Sequence, residues 1–282
     1  MTNIIACIDG SNLSHSVCDA ALWTAKTIDA PLQFLHVLDK TEQPVASELS
    51  GSIGLGSNKQ LLDELVALDE QRSKVALKYG KLLLKETEQR AKAAGLTEVS
   101  ILQRHGNLVE TLLDIEDDLR VLVVGKSGKS HQNATRTVGS HLESVVRSIK
   151  AHTLVVSQHF TAPSAYLLAF DGSEISQKLI DKALTTPLLK GMTCHLVMVD
   201  DNEVKVKQFG DAVIKLTKAG INVVEKIIEG EVHASLLNYQ HQHEIGLIVM
   251  GAYGHSKLRQ FFVGSNTTKL LIDSTVPVLL IR

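Results

Sequence analysis

Two glycine clusters in this 282-residue chain carry the residue types that cradle a phosphate. GKSGKS, residues 125–130, ends like a P-loop. GAYGHSKLRQFFVGSNTT, residues 251–268, spaces its glycines as Gly-x2-Gly-x9-Gly-Ser at Gly251, Gly254, Gly264 and Ser265. A P-loop needs a glycine five positions before the Gly of its GK[ST], so that a full loop of backbone N–H groups wraps the phosphates. Val123 and Arg120 stand at the two positions that would have to be glycine. Val123 also lies in the apolar run VLVVG (121–125), which reads as a buried strand. The first cluster is therefore not a P-loop.

The second cluster has a different logic. An apolar strand ends at Met250 and Gly251, the chain leaves it through two glycines, and it returns to a Gly-Ser pair that opens a helix. Glycines let backbone N–H groups approach an anion closely. A helix start at 264–267 offers unpaired N–H donors and the positive end of a dipole. Ser265 and Thr267 add hydroxyls. That set would hold phosphate without a P-loop lysine. The same residues would equally serve a plain strand–helix loop with turn glycines and an N-capping serine.

The elements that must position these loops come from a tandem repeat. IIACIDGSNLS (4–14) matches LLAFDGSEIS (167–176), with Asp9 and Asp171 offset by 162 positions. LQFLHVLD (32–39) matches CHLVMVDD (194–201) at the same offset. RHGNLVETLL (104–113) matches IEGEVHASLL (228–237), now offset by 124. VLVVGKSGKS (121–130) matches LIVMGAYGHS (247–256) at 126, and VGSHLESVVRSIKAHTLVVS (138–157) matches VGSNTTKLLIDSTVPVLLIR (263–282) at 125. GKSGKS is thus the first-half copy of GAYGHS, and the first half carries an extra segment of about 38 residues.

Each half alternates strand and helix. Strands are predicted at 3–9, 31–38, 97–105, 120–125 and 152–157, then at 165–171, 192–200, 221–229, 246–251 and 276–282. Most are continuous Val/Ile/Leu runs, as suits strands buried on both faces of a parallel sheet. Helices such as 13–29 and 264–274 lie between them. Right-handed crossovers then give a doubly wound α/β unit in each half, over 1–160 and 163–282. Such sheets bind ligands beyond the carboxyl ends of their strands. The Asp-Gly-Ser turns and the glycine loops both fall there.

Composition removes several classes. A net charge of −2 and a pI of about 6.6 argue against a general nucleic-acid or anionic-membrane binder. No apolar run reaches the length of a membrane span. MTNIIACIDG enters a strand at once, without the basic region and cleavage site of a leader. The three scattered cysteines, Cys7, Cys18 and Cys194, suit buried thiols in a reducing cytosol, so a cytoplasmic protein is expected. Of the twelve histidines, no pair sits at an i, i+4 spacing with a carboxylate, and no metal ligand is assigned.

On the duplicated order and the complete Gly-x2-Gly-x9-Gly-Ser of its second half, the whole chain resembles a tandem universal stress protein. In that family this glycine spacing marks the ATP-binding members. The resemblance implies two Rossmann-like, adenine nucleotide alpha-hydrolase-like domains, each a five-stranded parallel sheet, paired through their last strands. It implies ATP, AMP or ADP, with or without Mg, held mainly in the second half. Base and ribose would lie near Ala169, Asp171 and Val199. The phosphates would lie against Gly251, Gly254, Gly264, Ser265, Asn266 and Thr267, with Met250 and His255 also among the nucleotide-binding residues. Asp9, Val37, Gly125, Gly128, Gly139 and Ser140 are the first-half counterparts. A regulatory, stress-response role through an unidentified protein partner is implied as well. For Asp171 the plainer reading is a cap on the next helix.

The first half departs from the pattern, because ten residues separate Gly128 from Gly139. Lys126, Lys129 and Arg136 would either supply compensating charge or simply face solvent. The insert starts with a loop containing Pro44 and SGSIGLGS (50–57) and continues as one amphipathic helix over 59–94. That helix is expected to pack along one sheet face. The last strands, HTLVVS and VPVLLIR, are expected to pair within the chain and hide two edges. The result would be an intrachain pseudo-dimer, with a further homodimer left open.

Hydrolysis is the competing chemistry. It needs a base to position water and usually a metal held by carboxylates near the phosphates. Around 251–267 the sequence offers Tyr253, His255, Lys257 and Arg259 but no Asp or Glu. Turnover is therefore expected to be absent or very slow. ATP pyrophosphatases of related fold use an SGGxDS-like loop where this chain has DGSNLS and DGSEIS. A nucleotide-free interaction protein of the same fold is the remaining alternative.

Overall fold

The computed structural model describes residues 2–38, 58–128, 140–199, 203–251 and 265–282. The expected loop at 40–58 lies outside them except for Asn58, which opens a helix. The first half runs β1 (Asn3–Cys7), α1 (Ser14–Ile28), β2 (Leu32–Leu38), α2 (Asn58–Ala93), β3 (Val99–His105), α3 (Leu108–Asp114), β4 (Leu119–Gly125), α4 (Ser140–Ser148) and β5 (His152–Val156). The second runs β6 (Ala165–Phe170), α5 (Glu174–Thr185), β7 (Thr193–Val199), α6 (Glu203–Lys218), β8 (Val223–Ile228), α7 (Val232–Gln242), β9 (Leu247–Gly251), α8 (Ser265–Asp273) and β10 (Val278–Ile281). All ten expected strands form, with ends within two residues of those predicted.

The strands make one sheet in the order β3-β2-β1-β4-β5-β10-β9-β6-β7-β8. Pairing is parallel inside each half. Across the middle β5 and β10 pair antiparallel, with Val155 opposite Val278, Leu154 opposite Leu279 and Thr153 opposite Leu280. The two last strands therefore meet within one chain as expected. Because β1 to β5 match β6 to β10 in the repeat, this order places a pseudo-twofold axis between β5 and β10.

Continuous apolar strands demand cover on both faces, and the helices divide accordingly. One face carries α1, α2, α5 and α6 over a core that includes Phe34, Leu84, Tyr166 and Phe209. The other carries α3, α4, α7 and α8 over Leu122, Ile149, Ile248 and Leu271. The link between halves is pinned by Phe160, whose ring lies tilted against Trp23 of α1 with centroids 5.6 Å apart. The terminal strands β3 and β8 depart from the buried pattern. Ser100, Ile101 and Arg104 are exposed in β3, and Val224 to Ile227 in β8. Each has a neighbour on one side only, and the charges of Arg104, Glu225 and Lys226 discourage pairing with another chain.

The inserted helix α2 does pack on the sheet, over β2 and β3, and among its described side chains the buried ones lie in the later turns. Leu84 and Ala91 are buried there, whereas Val66, Leu68 and Val75 on the early turns are exposed. The anchor begins where Gln103 Nε2 donates to the Leu77 carbonyl at 3.3 Å. Gly80 then allows close approach, since a Cβ there would stand 2.9 Å from His36 Nε2. This division is testable by denaturant unfolding. Leu84→Ala is expected to cost about 2–5 kcal/mol, the range for emptying a buried leucine site. Val75→Ala should stay within about 0.5 kcal/mol. Equal losses would refute the one-ended anchor.

Candidate functional site

In the second half, β7 and β8 extend the sheet to one side of β6, while β9 and β10 lie to the other. The strand order therefore reverses between β6 and β9. Their carboxyl ends flank a crevice, the usual ligand position of an open α/β sheet. The Asp-Gly-Ser turn leaves β6, and the glycine loop leaves β9. The first half repeats this between β1 and β4.

The turn after β6 is held from within. Gly172 has φ +76°, a left-handed conformation that glycine adopts without strain. A Cβ there would also stand 2.7 Å from Gln208 Oε1 of α6, so both the conformation and the covering helix require glycine. Asp171 Oδ1 accepts from the Ser173 N–H at 2.9 Å. The helix cap itself is Ser173, whose Oγ accepts from the Ser176 N–H at 3.1 Å. Asp171 thus braces the turn, and the capping role expected of it falls two residues later. Burial pushes the Asp171 carboxyl up, but hydrogen bonds from Ser173 and Ser176 and the Lys205 ammonium outweigh this and hold it below the usual range. It is ionised at neutral pH and acts purely as an acceptor, which suits hydroxyl donors.

Other second-half candidates lie on neighbouring strands at the same end of the sheet. Ala169 sits on β6 opposite Val197, and Val199 ends β7 opposite Ile228. Both are half-buried. Met250 is buried, and Gly251 ends β9 opposite Ile281 of β10. The strands β9, β6 and β7 are neighbours in that order, so Ala169, Asp171, Val199, Met250 and Gly251 share one end of the sheet. The helix α8 opens at Ser265, with Asn266 and Thr267 in its first turn. Gly254, His255 and Gly264 lie outside the described residues.

In the first half Asp9 repeats the brace. Its Oδ1 accepts from the Ser11 N–H at 2.9 Å and from Ser14 Oγ at 3.3 Å. Gly10 has the same φ of +76° as Gly172, and the Tyr79 hydroxyl of α2 presses on it. Gly128 lies against the carboxylate, since a Cβ there would be 3.3 Å from Asp9 Oδ2. Gly125 ends β4 beside Leu13. Val37 is half-buried on β2 opposite Arg104. Ser140 opens α4, and Gly139 lies outside the described residues. Where the second half has Ala169, the first has Cys7, whose thiol is pushed up to about 12 by burial and then by Asp9. It remains a neutral thiol and fills more space than a methyl group.

Lys126 corrects one expectation. Its Nζ does not turn toward its own glycine loop but donates to the Ser274 carbonyl at 3.1 Å, just past α8 in the other half. Burial lowers its pKa, partly offset by Asp273. It is a cation at a helix C-terminus, where such a charge is stabilising. Ser157 Oγ adds donations to the carbonyls of Ser274 at 3.4 Å and Val276 at 3.2 Å. Lys129 and Arg136 lie outside the described residues. Spacing gives no hint of this contact, whose partners are 148 positions apart. Tyr79 and Gln208 were equally invisible. Their shared signal is that each sits in the helix following the second strand of its half.

Among the described residues, no group of three His, Cys, Asp or Glu is placed to hold a metal ion. None of the described helices is long and apolar enough to cross a membrane.

Similarity to known proteins agrees with this architecture. The chain is 32% identical, over 287 aligned positions covering all of both chains, to Universal stress protein Slr1230 of Synechocystis sp. (strain ATCC 27184 / PCC 6803 / Kazusa). Over 143 residues, 41% of this chain and 97% of the relative, it is 29% identical to Universal stress protein YxiE of Bacillus subtilis (strain 168). Its fold is that of a universal stress protein crystal structure from Archaeoglobus fulgidus DSM 4304, with a TM-score of 0.74 at 18% identity, covering 99% of this chain and 98% of the other. The sequence model of the Universal stress protein family matches residues 1–157 and 200–282. With more than half of its length matched, the chain belongs to the universal stress protein family.

Proposed function

We propose that this chain is a cytoplasmic adenine-nucleotide receptor, binding ATP or AMP in the second-half crevice and signalling occupancy to a protein partner. The observation that supports the reading most is that Asp171, an ionised carboxylate, follows β6 and Gly251 ends its neighbour β9 where the strand order reverses. Asp171 would accept from ribose hydroxyls, between Ala169 and Val199 beside the base. Gly251, Gly254, Gly264, Ser265, Asn266 and Thr267 would take the phosphates through backbone N–H groups and the dipole of α8. Met250 and His255 would border them. Mg, where present, would travel with the phosphates.

The first-half set, Asp9, Val37, Gly125, Gly128, Gly139 and Ser140, makes a weaker counterpart. Cys7 narrows it where Ala169 leaves room, and Lys126 is engaged on α8. The units that bind are the two repeats, 1–160 and 163–282. Binding without turnover fits a carboxylate already tied to its own turn at Ser173.

Heating purified protein and quantifying released nucleotide by liquid chromatography tests the reading. About one adenine nucleotide per chain is expected. Gly264→Val should remove it by blocking the backbone approach. Two per chain would make the first half a working site. None, with no binding of added ATP, would leave the interaction-protein alternative.

A second test separates the carboxylate's charge from its turn-bracing hydrogen bond. Asp171→Asn keeps an acceptor for the Ser173 N–H, so the chain should still fold, with a thermal midpoint lowered only modestly by loss of the Lys205 attraction. Its nucleotide content should nevertheless fall several-fold, as loss of a charged hydrogen-bond partner predicts. Undiminished content would exclude Asp171 from the ligand.

A further inference from the structure

A second recessed site lies at the joint between the halves, sharing no residue with the crevices above. It is a cleft of about 280 Å3 whose walls include Arg120, His152, Lys182 and Arg282 over an apolar floor with Val121 and Leu188. Four separate segments supply the polar groups. Arg120 is near the start of β4, His152 opens β5, Lys182 lies on α5, and Arg282 follows β10.

The charge balance in this cleft is one-sided. No acidic side chain is among its described lining residues. The nearby acids are occupied, Glu116 by Lys150 at 3.6 Å and Asp181 by Lys215. Among the described residues, Arg120, Lys182 and Arg282 have no ion-pair partner. His152 Nδ1 accepts from the Arg282 N–H at 3.2 Å, which leaves the ring proton on Nε2. Burial, and then Lys182, hold that imidazole below its usual range. Burial also lowers the Arg282 guanidinium, with Glu116 compensating only in part. Three cations facing one concave surface repel one another, and an anion seated between them would relieve that repulsion.

We propose that this cleft binds a small anion carrying two or more phosphate charges, such as pyrophosphate or a compact phosphorylated metabolite. Its volume lies just below the ~300–1,000 Å3 typical of small-molecule pockets, which favours a compact ligand. Two guanidinium groups suit bidentate recognition of phosphate oxygens. Because Arg120 and His152 come from the first half and Lys182 and Arg282 from the second, the ligand would also clamp the halves together.

Isothermal titration with pyrophosphate, inorganic phosphate and citrate tests the proposal. One saturable pyrophosphate site is expected, with inorganic phosphate weaker and a raised thermal midpoint on binding. The double variant Arg120→Gln, Lys182→Gln should bind at least ~10-fold more weakly, as loss of two charge-assisted contacts requires. Both side chains are exposed, so unchanged circular dichroism and nucleotide content should show that the variant is folded. The Gly264→Val chain should bind pyrophosphate like the parent, which keeps this outcome independent of the nucleotide reading. Absence of saturable binding, binding untouched by the double variant, or a preference for citrate would overturn the proposal.

Discussion

The antiparallel pairing of β5 with β10 is the interaction on which the rest of the molecule depends. A five-stranded parallel sheet ending in Leu154 and Val155, or in Leu279 and Leu280, would present a row of unpaired backbone groups flanked by apolar side chains. Such an edge invites association with other chains. Joining the two edges removes both at once and leaves these four residues at most 2% exposed. It also commits the strands of the two halves to opposite directions, so the two crevices open at opposite ends of the sheet. The same reversal brings the end of β10 beside the start of β5, which assembles the basic cleft from Arg282 and His152.

Within each half, one backbone conformation organises the crevice. Gly10 and Gly172 share φ +76°, and each is pressed by a helix that follows the second strand. The pressing helices differ greatly. In the second half it is the 16-residue α6, through Gln208, and in the first it is the 36-residue α2, through Tyr79. Duplication preserved the turn because a side chain there would meet both a strained φ and a neighbouring helix. What lies around the turn was free to diverge, and Cys7 against Ala169 is the clearest divergence.

Most of the architecture was legible because repeated order and continuous apolar runs report burial directly. HTLVVS and VPVLLIR could be recognised as partners because each closes its repeat and neither tolerates solvent. The edge strands were harder. VSILQRH and VVEKII contain enough Val and Ile to read as strands, but their exposure follows from position in the sheet, which no local pattern encodes. The roles of side chains reaching across the joint were not legible at all. Lys126 reads as part of a glycine–lysine loop, yet its partner is Ser274. Likewise Arg120, Lys182 and Arg282 belong to no motif, and only the fold brings them to one cleft.

The helix α8 is where these constraints meet. Its nine residues are fewer than the ~12–15 an isolated helix needs to persist in water. It must be held by its apolar face, through Leu270 and Leu271, and by its ends. At the carboxyl end Lys126 donates from the other half, and His233 of α7 lies 3.1 Å from Asp273. At the amino end, from Ser265, the first-turn N–H groups have no partner within the helix. An anion there and a cation at Ser274 favour the same dipole from opposite ends, so each strengthens the helix for the other. Filling the second-half crevice would thereby tighten the grip of Lys126, which follows directly on Gly125 of the first-half glycine turn. On the proposed reading, nucleotide occupancy is thus transmitted across the joint by one short helix.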